Sequence, residues 1–137
     1  MVDVVAPIFD ADVEQLLVDY LVAGLQSYGF TGTVSTRVPN PRPVESVVLY
    51  RTGGPRKDLV TDRPQITIEC RAGLEARAFQ VAATVRALMN FLDGNGVVLA
   101  GQAVYEYVEM VGPYSDFDAV GNQPRYSLTG WVSIRSI

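Results

Sequence analysis

Arg51, Arg56, Lys57 and Arg63 fall within thirteen residues of a chain that holds only eleven cations, and Gly53-Gly54-Pro55 sits among them. Glycine-rich backbone beside guanidinium and ammonium groups can cradle an anion, so phosphate is the first ligand to weigh. A phosphate loop of the Gly-x4-Gly-Lys-Ser/Thr kind needs a helix N-terminus aimed at the anion. Here the glycines lead through Pro55-Arg56-Lys57-Asp58 into Gln65-Ile-Thr-Ile-Glu-Cys70, which reads as a strand. Proline supplies no N–H and no helix dipole points at the loop, so nucleotide binding is not expected. Nucleic acid is the next reading, with Tyr50 stacking and the arginines on phosphates. Against it, Asp58 and Asp62 dilute the loop, and the chain carries a net charge of -4 with a pI near 4.7.

The remaining reactive groups are few in kind. The chain has no histidine and one cysteine, Cys70. That excludes the usual zinc sites, Ser-His and Cys-His dyads, and an intrachain disulfide. Glu106 and Glu109 stand three apart, so a regular strand turns them to opposite faces. Asp116 and Asp118 share a loop or one face, and Asp116-Phe-Asp118 is only a fragment of a calcium loop. Neither pair defines a glycosidase site; solvated loop acids are the plainer reading. No catalytic residue, cofactor or metal ligand is expected. The acids do form a pattern, because no Lys or Arg lies between Arg86 and Arg125. A cationic segment (Arg51, Arg56, Lys57, Asp58, Arg63) and an acidic one (Glu106, Glu109, Asp116, Asp118) suit head-to-tail contacts between copies, unless the folded chain pairs them internally. Trp131, on the polar side of its strand, is a further candidate for such an interface.

The elements that would position these residues follow from periodicity. Asp10 or Asp12 caps a first helix, whose stripe is Val13, Leu16, Leu17, Tyr20, Leu21 and Leu25, with Gly29 as its stop. A short strand over 33–38 precedes the stiff Pro39-Asn-Pro-Arg-Pro43 link. Strands over 46–50 and 65–70 flank the cationic loop, read as a hairpin connection. A second helix spans 74–93, with Phe79, Ala82, Val85, Met89 and Leu92 buried and Ala78, Val81 and Leu88 widening that face. Ala78, Ala82, Ala83 and Ala87 would let it lie close to a sheet. A strand broken near Gly101 covers 97–110, a polar loop covers 112–123, and a final strand runs over 126–137. In that strand Tyr126, Leu128, Val132 and Ile134 face one way, and Ser127, Thr129, Trp131, Ser133 and Arg135 the other. The order α-β-β-β-α-β-β describes a single α+β domain, residues 1–137, with a mainly antiparallel or mixed sheet on two helices. The first ten residues lack the basic and apolar regions of a signal peptide, and no run approaches the ~18 apolar residues of a membrane span. Soluble protein made in the cytoplasm is expected.

Leu49-Tyr-Arg-Thr-Gly-Gly-Pro-Arg-Lys-Asp58, then Thr61-Asp-Arg-Pro-Gln-Ile-Thr-Ile-Glu-Cys70, then a helix with Ala76-Arg-Ala-Phe79 and Val85-Arg-Ala-Leu88 resemble the small tail terminator (tail completion) proteins of long-tailed bacteriophages, particularly those of actinobacterial hosts. The Gly112-Pro113 loop, Gln123-Pro-Arg-Tyr-Ser-Leu128 and the last strand are similar as well, so the resemblance runs from about Leu16 to the C-terminus. It implies an α+β domain assembled as a ring, typically a hexamer, on the head-proximal end of the tail tube. Such a ring ends tube polymerisation and forms the surface for head–tail joining. The implied partners are further copies of the chain, the major tail tube protein and the head–tail connector or stopper proteins. Phage DNA would pass through the lumen without specific binding. The implied location is the tail or neck of the virion, after assembly in the host cytoplasm, with no membrane and no enzymatic step. The alternatives are another neck component, such as a head-completion or connector protein, and a small-ligand-binding α+β domain with an enclosed polar-lined pocket.

Overall fold

The computed structural model describes residues 7–136. Two helices, α1 (Val13–Gln26) and α2 (Glu75–Phe91), pack on one face of a curled sheet of eight strands, an α+β arrangement in a single domain. The strands are β1 (Thr33–Ser35), β2 (Ser46–Arg51), β3 (Arg56–Asp58), β4 (Thr61–Asp62), β5 (Gln65–Arg71), β6 (Val98–Leu99), β7 (Gln102–Ser115) and β8 (Arg125–Arg135). β1 runs parallel to β2 and every other pairing is antiparallel.

α1 begins where Asp12 accepts the Gln15 N–H at 3.3 Å, satisfying one of the free donors of the first turn. Its buried residues, Val13, Leu17, Val18, Leu21 and Leu25, follow the apolar period. α2 lacks a side-chain cap at Leu74 and is held instead by burial of Ala78, Val81, Ala82, Val85 and Met89. The sheet face beneath the helices carries Val47, Leu49, Ile66, Ile68, Cys70, Leu128, Val132 and Ile134, all in one core cluster.

β8 sits at the centre. β5 pairs with it over residues 125–131 and β4 over 134–135, along one edge; β7 lies along the other. Its alternation is as the sequence implies, with Leu128, Val132 and Ile134 buried under the helices. The break at Gly101 is also present, as the turn between β6 and β7.

Four expectations need correction. The short strand stops at Ser35 rather than Val38. β7 runs on to Ser115 through three register shifts, so the start of the expected polar loop is strand. Phe79 is half-exposed, because the buried face of α2 is centred on Ala78, Ala82, Val85 and Met89 and leaves Phe79, Ala83 and Ala87 on its outer side. The segment between β2 and β5 is no simple hairpin connection; it folds into the β3–β4 hairpin and joins β8. Ile137, the expected end of the last strand, lies outside the described residues. Among those residues no helix is long and apolar enough to cross a membrane.

Ile68 is 1 % exposed in the central part of the sheet. Ile68→Ala is expected to lower stability by about 2–5 kcal/mol, read as a shift of the urea midpoint with an unchanged slope.

Candidate interface surfaces

The cationic segment is organised around a cation, which is the reverse of an anion cradle. Arg51 closes a bidentate bridge onto Asp62, Nη1 to Oδ2 at 2.6 Å and Nη2 to Oδ1 at 3.0 Å. Its Nε and Nη2 also donate to the Gly53 and Gly54 carbonyls at 3.1 and 3.3 Å. The loop thus turns carbonyl oxygens toward its own guanidinium. Gly54 is required there: its φ is +99°, and a Cβ would stand 2.4 Å from the Arg63 carbonyl oxygen. The Asp62 hydrogen bonds raise the Arg51 pKa above its ordinary value.

The other cations of the segment also meet acids of the same chain. Arg56 donates to Asp10 at 2.6 Å and to the Leu59 carbonyl at 2.8 Å. Lys57 and Arg63 each lie 3.8 Å from Glu106. Arg63 also stacks over Trp131, 4.4 Å from the ring centre, while the indole N–H donates to Gln65 at 3.2 Å. Asp58 stays exposed and accepts the Val60 N–H at 2.9 Å; that bond, first among several, holds its carboxyl below the ordinary range.

Glu106 and Glu109 do point to opposite faces. Glu106 accepts from Ser133 at 3.1 Å on the face away from the helices, and Glu109 reaches Arg86 of α2 at 2.6 and 2.7 Å. Asp116 takes Arg125 at 3.1 Å and Ser127 at 3.0 Å. The expected cationic and acidic segments therefore touch within the subunit only at Glu106, and most of their other members pair with charges elsewhere in the chain. Exposed pairs at such distances add roughly 0–1 kcal/mol each.

The buried member of the acidic segment is Asp118, 5 % exposed. It accepts from Arg71 Nε at 2.9 Å, Arg42 Nη1 at 3.0 Å and the Gly121 N–H at 3.0 Å. Gly121 first, then Arg71, hold its carboxyl well below the usual carboxylate range. Arg71, itself buried, also bridges Glu69 at 2.8 Å, and Tyr50 donates to Glu69 at 3.0 Å. Burial, and then that bond, push the Tyr50 phenol up to about 12. The network ties the proline-rich link, β5 and the loop after β7 together. Sequence reasoning missed it, since Arg42, Arg71 and Asp118 are distant in the chain.

Sequence reasoning also missed the outer side of α2. Phe79, Ala83, Ala87 and Phe91 lie there, with the two phenylalanines 50 % and 58 % exposed. A groove of about 610 Å³ runs beside them between α1 and α2, lined by Tyr20, Tyr28, Leu88 and Phe91 among others. A second, of about 420 Å³, lies on the Pro113 side. Among the described residues no three His, Cys, Asp or Glu side chains are grouped to hold a metal ion. The chain matches no protein-family model, and no curated protein matches it significantly.

Asp118→Asn takes from buried Arg71 one of its two carboxylates and leaves it only Glu69, at an expected cost of about 2–3 kcal/mol at pH 7. The Asp118 pKa is lower folded than unfolded, so its contribution is complete above the unfolded value near 4 and lost as pH falls further. The stability gap between wild type and Asp118→Asn should narrow below about pH 4, measured as urea midpoints across a pH series.

Proposed function

We propose that the protein is a structural component of a long-tailed phage virion, a tail terminator that forms a ring on the head-proximal end of the tail tube. The observation that carries this reading is the likeness, in order, of Leu49–Asp58, Thr61–Cys70, the α2 segment and the Gln123–Leu128 segment to such proteins. The exposed apolar row on α2 supports assembly more generally, since solitary domains leave few contiguous apolar surfaces uncovered. The action is steric: a ring of copies covers the last tube subunits and presents a new face to the connector proteins of the head. DNA passes through without specific contacts. A head-completion or connector protein is the nearest alternative, and it differs in which end of the neck it binds.

The reading is tested by native mass and by images of tails assembled with and without the protein. Rings or tube-end binding, and tails of uncontrolled length in its absence, are the expected results; fixed-length tails without it would sink the proposal. The β3–β4 hairpin provides a second test. Lys57 is half-exposed and only 3.8 Å from Glu106, so Lys57→Glu should alter melting by no more than about 1 kcal/mol. If the hairpin meets a neighbour or the tube, the same change weakens assembly, more at low salt than at high salt. Unaltered assembly at both salts would remove the hairpin from the contact.

A further inference from the structure

The outward row of α2 reads the same from either end: Phe79, Ala83, Ala87, Phe91, at steps of four. We infer that this row is a self-complementary surface on which α2 of a second copy docks antiparallel, about a two-fold axis passing between Ala83 and Ala87. A two-fold contact demands one patch that fits itself. Reversal places Phe79 of one copy opposite Phe91 of the other, and Ala83 opposite Ala87. Residues at steps of four form a ridge, and two such ridges interdigitate at about −50°. The receiving groove is present beside the ridge, as the space of about 610 Å³ bounded by Tyr20, Tyr28 and Leu88. The central alanines allow the axes to approach to roughly 8 Å.

The flanks of the row oppose nothing. Under the same reversal Gln80 comes opposite Asn90, a neutral pair able to exchange hydrogen bonds. Arg86, beside the row, is already neutralised by Glu109 at 2.6 and 2.7 Å, and Glu75, exposed four residues before Phe79 on the same ridge, comes opposite the neutral Asn95. Phe79 is held in advance, edge-on to Tyr126 with ring centres 5.6 Å apart, which lowers the entropy lost on docking. One helix and its margins make a contact at the small end of specific interfaces, so the dimer is concentration-dependent. It closes at two copies, and is separate from the head-to-tail contacts a ring needs. The inference does not rest on the tail reading.

Sedimentation of the full chain over a concentration series tests it. The wild type should pass from monomer through a species of twice that mass, whether or not larger assemblies follow. Ala83→Glu with Ala87→Glu sets like charges against each other and should weaken dimerisation at least about tenfold; Ala83→Lys with Ala87→Lys should do the same. Both sites are solvent-facing, so unaltered circular dichroism and melting are expected. An equal mixture of the acidic and basic variants should recover the dimer, because antiparallel docking brings opposite charges together. A wild type that stays monomeric at every concentration, variants that dimerise as the wild type does, or a mixture that stays monomeric would each overturn the inference. Rings that persist in the acidic variant without a two-fold step overturn it while sparing the ring reading. A wild type that stops at two copies, with recovery in the mixture, supports it and counts against the ring.

Discussion

Strand β8 has to satisfy neighbours on both edges and a helix layer on one face, and the rest of the molecule is arranged around that demand. Its backbone is paired with β5 and β4 on one side and β7 on the other. Its alternate side chains Leu128, Val132 and Ile134 are fully buried beneath the helices. A one-residue slip would turn this set outward, so the register is tightly specified. Because β8 extends beyond the end of β5, it offers free ladder positions at Ile134 and Arg135. The segment between β2 and β5 folds back to take them.

That folding back settles where the charges go. Once β4 is docked, Asp62 is buried and must have a cation, which Arg51 provides across the mouth of the excursion. β3 and Arg63 then lie over the polar face, within reach of Glu106. What looks like a protruding cationic loop in the sequence is largely neutralised by its own chain. One of the apolar surfaces left uncovered lies on the opposite side, on α2.

The parts of the fold legible in the sequence were those governed by a strong period. α1, the interior of α2 and the alternation of β8 follow directly from the spacing of their apolar residues. Phe79 was misjudged because hydrophobicity alone ranked it above Ala78, whereas the helix meets the sheet along its small residues and turns its ring outward. The extension of β7 past Gly112-Pro113 was hidden by residues that ordinarily end strands; here bulges absorb them. Of the site, the residues of the cationic segment were visible, but their partners were not. Asp10, Asp62 and Glu106 are brought to them by pairings at long range, and Arg42, Arg71 and Asp118 converge from three separate elements. No local pattern encodes such meetings.

The position of β8 in the chain has a consequence for biosynthesis. The central strand of the sheet is encoded after all the strands it joins, spanning Arg125–Arg135. Until that stretch leaves the ribosome, β5 has only β2 beside it, β7 lacks its main partner, and the core face of the sheet is missing Leu128, Val132 and Ile134. The nascent chain must therefore wait with its helices and outer strands incompletely covered, a state in which unpaired edges invite aggregation. Long-range closures of this kind also slow folding. The sheet and its core can be completed only once β8 is available to pair with β4, β5 and β7.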